Sequence, residues 1–118
     1  MPNMIVLAYL GDSVYELEVR KRLLSMGKVN EIQKESLKYV SATSQRRHLE
    51  HLITKEVLSK EELDIVRRGR NTKGGRGKSS DIVTYRIATG LECLFGQLYL
   101  NNNYDRINEL MDLILEDK

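Results

Sequence analysis

Two carboxylates stand in the two most apolar stretches of the chain. Asp12 lies in LAYLGDSVYEL and Glu92 in RIATGLECLFGQLYL. Burial of an unpaired carboxylate costs several kcal/mol, so each side chain needs a cation or hydrogen bonds nearby. No basic residue stands three or four positions from either one, the spacing at which neighbours meet on a helix. If folding brings the two carboxylates together they repel each other, and a divalent cation would stabilise the pair.

The pair predicts a hard cation as cofactor, namely Mg²⁺ with Mn²⁺ as a substitute, because such ions prefer carboxylate oxygens. A structural interpretation is also open. Asp12 follows Gly11 and could cap a helix that restarts there, whereas Glu92 could pair with Arg86 or with a loop arginine. Structural ion pairs perturb carboxylates as readily as active sites do, so the spacing does not decide between the two.

A strongly basic segment separates the two carboxylates in the sequence. No acidic residue occurs between Asp64 and Asp81, and this interval contains six positive charges: Arg67, Arg68, Arg70, Lys73, Arg76 and Lys78. Residues 70–80 include three glycines and no apolar side chain, which predicts an exposed loop. Glycines let a backbone approach a phosphate closely, and the cations would neutralise a nucleic-acid backbone in a salt-dependent manner. A merely solvated surface loop is the alternative.

Helical spacing of apolar residues dominates the elements that must position these groups, and strand alternation is nearly absent. With the capping residues, the spacing predicts six helices: Met4 to about Met26, ended by Gly27; a second capped by Asn30; a third from about Thr43; a fourth opened by a Ser59–Glu62 capping box; a fifth capped by Ser80 or Asp81 and running to Leu100; and a sixth from about Tyr104. The predicted fold class is therefore all-α. Because the first half of the first helix is apolar on every side, we expect it to be the central, buried helix.

Length and composition exclude several classes of protein. A chain of 118 residues and 13.6 kDa indicates one domain, residues 1–118, and its net charge of +2 points to no class of partner. The single cysteine, Cys93, cannot form an internal disulfide and is expected to be a small buried hydrophobe. No apolar run has the length of a membrane span, so we expect a cytoplasmic protein without a membrane partner.

Other polar and aromatic residues have less specific patterns. His48 and His51 lack further Cys or His ligands nearby, so a surface or RNA-facing position is favoured over a zinc site. Glu16, one turn after Asp12, could hold a water at a metal, although an ion pair with Arg20 is favoured. Three tyrosines occupy core-like positions in the predicted helices: Tyr9, Tyr15 and Tyr99.

The two acidic segments resemble the two conserved blocks of the ribonuclease III catalytic domain. Tyr9-Leu10-Gly11-Asp12-Ser13 resembles the latter half of the first block, and Glu92-Cys93-Leu94-Phe95-Gly96-Gln97-Leu98-Tyr99-Leu100 resembles the second. Arg67-Arg68-Gly69-Arg70-Asn71, then Asp81 and Tyr85-Arg86, are similar to the variant called Mini-ribonuclease III, whose members consist of this domain alone. The likeness covers nearly the whole chain and implies a ribonuclease III-like helical bundle.

The resemblance implies that Asp12 and Glu92 coordinate the catalytic metal. It further implies hydrolysis of double-stranded, structured RNA to products with a 5′-phosphate and a 3′-hydroxyl, and a homodimer with one active site per subunit. The family role of Mini-ribonuclease III implies precursor 23S ribosomal RNA as the substrate. An RNA-binding or ribosome-assembly module without catalysis and a protein-interaction bundle are the alternatives.

Two positions depart from the common ribonuclease III pattern. The acid that precedes the aspartate by four residues is Ala8 here, and the aspartate that precedes the glutamate by three is Thr89. Both departures look like the Mini-ribonuclease III pattern, and they leave the number of bound ions open. Thr89 could still support the site without being a direct ligand.

Overall fold

Six α-helices and one 3₁₀ turn account for most of the chain in a computed structural model, which describes residues 3–72 and 81–116. The helices are α1 Met4–Leu23, α2 Val29–Val40, α3 Ala42–Thr54, α4 Lys60–Arg70, α5 Ile82–Leu100 and α6 Tyr104–Glu116, with the 3₁₀ turn at Leu24–Met26. No strand occurs in the described ranges, which confirms the all-α prediction. None of the helices found there is long and apolar enough to cross a membrane.

Side-chain caps explain where most of these helices begin. Asn3 accepts the Val6 N–H at 2.9 Å before α1, and Asp81 accepts the Thr84 N–H at 2.8 Å before α5. The predicted capping box opens α4: Ser59 Oγ accepts the Glu62 N–H, and the Glu62 carboxylate accepts the Ser59 N–H. Gly27 ends the first helical segment in the left-handed conformation, with φ of 81°.

The predicted cap of the second helix is wrong. That helix begins at Val29, with the extended residue Lys28 before it, so Asn30 lies inside the first turn. The Asn30 side chain accepts the N–H of its neighbour Glu31 at 3.0 Å instead. The first helix also ends earlier than predicted, because the chain tightens into the 3₁₀ turn three residues before Gly27.

The central helix is α5, not α1 as expected. Eleven of its residues are buried, because α1, α3, α4 and α6 all pack against it, whereas six residues of α1 are buried. The outer side of α1 is uncovered: Ile5 is 50%, Val6 51% and Tyr9 81% exposed. The apolar residues on every side of the first half of α1 therefore belong to a partly uncovered surface rather than to the centre of the core. Tyr99 is likewise exposed, whereas Tyr15 is buried as predicted.

Glycines allow α1 and α4 to approach α5 closely. A Cβ on Gly11 of α1 would lie 2.5 Å from the carbonyl carbon of Glu92 and 2.9 Å from the backbone nitrogen of Gly96, both on α5. A Cβ on Gly90, elsewhere on α5, would lie 2.8 Å from the carbonyl oxygen of Val66 on α4. Only residues without a side chain allow backbones to pack this closely, so these contacts set the position of α1 and α4 relative to α5.

The remaining core closes around Tyr15 and Phe95, whose rings meet edge to face at 5.3 Å. His48 belongs to this interior as well: it is 1% exposed and stacks on Tyr39. The expected surface or RNA-facing position of His48 is therefore wrong. Cys93 is fully buried, as predicted, and its thiol donates to the carbonyl oxygen of Met4 at 3.2 Å.

Candidate active site

Asp12 and Glu92 line the same cavity between α1 and α5. The cavity has a volume of about 410 Å³ and is open to solvent; its walls are formed by Ile5, Ala8, Tyr9, Asp12, Thr72, Tyr85, Thr89 and Glu92. On each helix the lining residues recur at helical spacing, so one face of α1 meets one face of α5. Residues eighty positions apart in the sequence are therefore brought together at one surface.

The close packing of Gly11 explains why the two carboxylates meet. Gly11 packs its backbone directly against the backbone of α5 at Glu92 and Gly96. Asp12 follows Gly11 on α1, so the contact that joins the helices also brings its carboxylate beside that of Glu92. Because α1 runs without interruption from Met4 to Leu23, Asp12 does not cap a restarting helix, and that structural interpretation is wrong.

The electrostatic environment of Glu92 reflects this pairing. Burial, then the charge of Asp12 and a hydrogen bond to it, raise the pKa of Glu92 to about 8, whereas a hydrogen bond from the Gln45 side chain acts in the opposite direction. Glu92 is partly buried, but Asp12 is exposed, so the expectation that both carboxylates are withdrawn from water holds only for Glu92. A positive charge placed between the two groups would relieve their repulsion.

The donor set of the cavity fits a hard divalent cation that keeps several of its waters. Two carboxylates supply the oxygen ligands that Mg²⁺ and Mn²⁺ prefer, and Mg²⁺ is commonly held by one or two protein carboxylates. No group of three His, Cys, Asp or Glu side chains suited to a metal occurs within residues 3–72 and 81–116. This part of the chain therefore forms neither a zinc-type site nor a site with protein ligands alone. An ion bound here would depend on water for its other ligands.

The two departures from the common acidic pattern lie in the same cavity. Ala8 and Thr89 both form part of its wall, one turn before Asp12 and Glu92 respectively. The Thr89 hydroxyl donates to the Tyr85 carbonyl oxygen at 2.9 Å, within its own helix, so that hydrogen is already engaged. The cavity thus brings together all four positions at which the common pattern has an acid, but only Asp12 and Glu92 carry a carboxylate here.

Glu16 points to a different partner. Its carboxylate accepts a hydrogen bond from Arg20 Nη2 at 2.8 Å, which confirms the ion pair that the spacing favoured. Both side chains are substantially exposed, so this pair contributes little to stability. Glu16 is not among the residues that line the cavity.

Three of the six basic residues lie on the last turns of α4. Arg67, Arg68 and Arg70 are exposed, and the first two face Asp64 one turn earlier. Thr72, two residues beyond the end of α4, lines the cavity, so α4 delivers its basic end close to the carboxylates. Lys73, Arg76 and Lys78, together with the three glycines of the predicted loop, lie outside the described residues.

Sequence reasoning missed five residues in or beside the cavity. Ile5, Tyr9, Tyr85 and Thr72 form part of the wall. The spacing of Tyr85, Thr89 and Glu92 places them on one face of a helix, so this signal was present in the sequence. Gln45 of α3 is buried and lowers the pKa of Glu92, and no local pattern connects these two residues.

Comparisons with known proteins show the family to which the chain belongs and the fold it shares. The ribonuclease III domain family matches residues 5–103. A Mini-ribonuclease 3 from Desulfitobacterium hafniense is 49% identical over 107 residues, which cover 89% of this chain and 67% of that protein. A Mini-ribonuclease 3 from Symbiobacterium thermophilum is 46% identical, with coverage of 91% and 83%. The crystal structure of a Fusobacterium nucleatum protein superposes with a TM-score of 0.87 at 28% identity and covers 97% of this chain and 93% of that one.

Proposed function

The chain belongs to the ribonuclease III family and is an endoribonuclease, and from this premise we propose that Asp12 and Glu92 are its catalytic residues and hold Mg²⁺, or Mn²⁺ in its place. The observation that carries the proposal is the meeting of these two carboxylates at one solvent-open cavity. Ribonuclease III enzymes are in general dependent on divalent metals, and the domain implies a double-stranded RNA substrate.

The proposed reaction is hydrolysis of a phosphodiester bond that leaves a 5′-phosphate and a 3′-hydroxyl. Asp12 and Glu92 would hold the divalent cation, which would supply a Lewis acid able to activate water and to offset charge on the phosphate. The protein's part is to hold the two carboxylates in a fixed relation, which the Gly11 contact does, and to present them in a cavity that a backbone phosphate can enter. Thr89 and Tyr85 form part of the cavity wall on the same helix as Glu92.

We assign the binding of the RNA backbone to six basic residues: Arg67, Arg68, Arg70, Lys73, Arg76 and Lys78. Support comes from the three described members, which are exposed at the end of α4, next to the cavity residue Thr72. Contacts of this kind position a duplex without reading its sequence, since the deep groove of A-form RNA hides the base edges. Recognition by shape and phosphate is therefore expected.

The narrower proposals follow from the Mini-ribonuclease III relationship. We propose that residues 1–118 form a single catalytic domain, that it acts as a homodimer, and that it matures the ends of precursor 23S ribosomal RNA in the cytoplasm. The uncovered apolar side chains of Ile5, Val6 and Tyr9 support the dimer, because a large apolar patch on a protein surface commonly marks an interface. Sedimentation of the wild type and of Tyr9→Asp tests it: a monomeric wild type would contradict the dimer.

Cleavage of a folded RNA duplex tests the assignment of the site. Wild-type protein is expected to cut in Mg²⁺ and not in EDTA, whereas Asp12→Asn and Glu92→Gln are expected to remain folded and inactive. Glu109→Gln is the matched control, because Glu109 is an exposed carboxylate on α6, away from the cavity. Activity retained in either site variant would refute the assignment. A duplex bound but never cut would indicate an RNA-binding module instead.

A further inference from the structure

The cavity that contains Asp12 and Glu92 is lined mostly by groups that cannot donate a hydrogen bond. Charged carboxylates only accept, and the neighbouring wall residues Ile5 and Ala8 are apolar. A backbone phosphate of RNA likewise has only acceptors and is negatively charged. Its entry beside two carboxylates therefore needs a cation, donors from the wall, or both.

The two threonine hydroxyls of the wall already donate within the protein. Thr72 Oγ1 donates to the carbonyl oxygen of Arg68 at 2.8 Å, and Thr89 Oγ1 donates to that of Tyr85 at 2.9 Å. The hydroxyls of Tyr9 and Tyr85 also belong to the wall, and neither forms a hydrogen bond with another residue in the ranges 3–72 and 81–116. These tyrosine hydroxyls are therefore the donors that the described wall offers to an incoming RNA strand.

Tyr85 is held more firmly than Tyr9. Tyr9 is 81% exposed, so few contacts fix its ring. Tyr85 is partly buried in the first turn of α5, and its N–H donates to the Asp81 carbonyl oxygen at 3.0 Å. The same turn is joined to α3, because Arg46 Nη1 donates to Thr84 Oγ1 at 2.8 Å. A donor on a fixed turn loses less conformational freedom on binding than a donor on a free side chain.

Helical spacing separates the Tyr85 side chain from the carboxylates. Tyr85 precedes Glu92 by seven residues on the same face of α5, which corresponds to about two turns, or about 10 Å along the helix axis. Both side chains tilt towards the N-terminus of the helix, so the tilt preserves their separation. When one phosphate lies at the carboxylates, Tyr85 is therefore placed to meet a neighbouring part of the RNA backbone rather than the reacting phosphate.

We propose that Tyr85 binds the RNA strand: its hydroxyl donates a hydrogen bond to a non-bridging oxygen of a backbone phosphate next to the one that is cut. The proposal rests on the proposed function, since that function places the duplex backbone in this cavity. A phosphate is the fitting acceptor because a hydrogen bond to a charged oxygen is roughly twice as strong as one between neutral groups. Tyr85 is thus a binding residue at the edge of the site and does not touch the reacting atoms.

Tyr85→Phe tests the proposal, because it keeps the ring and removes only the hydroxyl. Duplex RNA affinity is measured by fluorescence anisotropy in EDTA, where no cleavage is expected, and kcat and KM are measured in Mg²⁺. We expect Kd and KM to rise by roughly 10-fold, the effect of one hydrogen bond to a charged group, with kcat within about twofold of the wild type. The unfolding midpoint should not change, because the hydroxyl has no partner in the described part of the chain.

Salt dependence separates this contact from those of the basic residues. A neutral hydroxyl releases no counterion, so Tyr85→Phe should weaken binding by the same factor at every salt concentration. Loss of a phosphate-binding arginine would instead change the slope of log affinity against log salt. A changed slope in Tyr85→Phe would mean that the substitution disturbs the basic surface, and it would overturn the proposal.

Tyr99→Phe is the matched control. Tyr99 also lies on α5, is 42% exposed and does not line the cavity. Its replacement should leave Kd and KM unchanged. Wild-type Kd and KM in Tyr85→Phe, or an equal loss of affinity in both variants, would overturn the proposal.

A duplex with 2′-deoxyribose at the nucleotides around the cut distinguishes the two acceptors of an RNA backbone, the phosphate and the 2′-hydroxyl. The difference in Kd between the wild type and Tyr85→Phe should persist with this duplex. If the difference disappears, the tyrosine contacts the ribose and the phosphate assignment is refuted.

An Asp12→Asn arm separates failure of this proposal from failure of the proposed function. If the wild type binds no duplex, both are refuted. If Asp12→Asn abolishes cleavage while Tyr85→Phe keeps wild-type Kd and KM, the catalytic site stands and only the role of Tyr85 is refuted. If Asp12→Asn still cuts while Tyr85→Phe binds weakly, the catalytic assignment is refuted and the RNA contact stands.

Discussion

The backbone contact at Gly11 should decide both the stability of the fold and the geometry of the two carboxylates. In Gly11→Ala the new Cβ would lie 2.5 Å from the Glu92 carbonyl carbon and 2.9 Å from the Gly96 nitrogen, where ordinary contacts begin at 3.4 Å. Both neighbours are backbone atoms of a helix, so neither can rotate away. The helices α1 and α5 would have to separate by roughly 1 Å or more, since the interior has no free space to absorb the methyl group.

The free energy of unfolding should fall by about 2 kcal/mol or more. Overpacking a well-packed interior costs typically 1–3 kcal/mol, and a clash with rigid backbone belongs at about the upper end of that range. Alanine recovers up to about 1 kcal/mol through its better helix propensity. A domain of this size is stable by only about 5–15 kcal/mol, so a loss of this size is readily measured.

Urea denaturation in EDTA, followed by cleavage of duplex RNA in Mg²⁺, checks this prediction. Gly27→Ala is the control: nothing lies within 4 Å of its new Cβ, and only the left-handed φ of 81° is strained, at a cost of about 1–2 kcal/mol. Both variants lose stability, but only Gly11→Ala moves Asp12 away from Glu92, so only it should lose cleavage under conditions where both are folded. Wild-type stability and wild-type cleavage in Gly11→Ala would refute the reasoning.

Three further perturbations follow from the described interactions. Glu62 accepts two hydrogen bonds from Arg106, each at 2.8 Å, and these lower the pKa of Glu62. The stabilisation of the folded state by this pair is therefore complete above the ordinary pKa of 4.5. It is lost as the pH falls through the lower pKa of the folded state. Urea unfolding of Glu62→Gln should show a loss of about 2 kcal/mol at neutral pH, the contribution of hydrogen bonds to a charged group. This loss should shrink in acid, and a constant difference would contradict the prediction. Glu92→Gln should unfold at a higher temperature than the wild type in EDTA, because burial beside Asp12 disfavours the charged form of Glu92 and raises its pKa. Mg²⁺ should stabilise this variant less than it stabilises the wild type. Equal stabilisation of both proteins by Mg²⁺ would count against the metal site. Alanine at Arg67 and Arg70 should weaken duplex binding and lower the slope of log affinity against log salt by about 0.9 for each RNA phosphate that is no longer neutralised. Lys34→Ala on α2 is measured beside it as the control. An unchanged slope would exclude these arginines from the RNA surface.

Local signals in the sequence were enough to locate most of the secondary structure. Ser59 with Glu62, Asp81, and Gly27 each have a capping function that depends on a few neighbouring atoms, and the structure confirms all three. The prediction that Asn30 caps the second helix was wrong because Lys28 already occupies the extended position before that helix. Asn30 lies inside the first turn, so its side chain accepts the N–H of the neighbouring Glu31 instead. Competition of this kind between adjacent caps cannot be ranked from residue type alone.

Composition misjudged which helix is central. The first half of α1 is apolar all round, yet Ile5, Val6 and Tyr9 are exposed, because an apolar side chain serves equally well in a core and on an uncovered surface. The sequence also did not predict the burial of His48, because that burial depends on a neighbouring helix. Its ring is covered by Tyr39 from another helix, and such a contact leaves no trace in the spacing of α3.

The sequence by itself determined which side chains could do chemistry: two carboxylates in apolar helices, a basic segment between them, and glycines near both acids. Only the tertiary structure decided that these carboxylates share one cavity and that Asp12 is exposed while Glu92 is partly buried. The physical reason is the range of the interactions. Capping and helical periodicity act over a few residues, whereas the approach of α1 to α5 depends on backbone contact between Gly11 and residues 81 and 85 positions away.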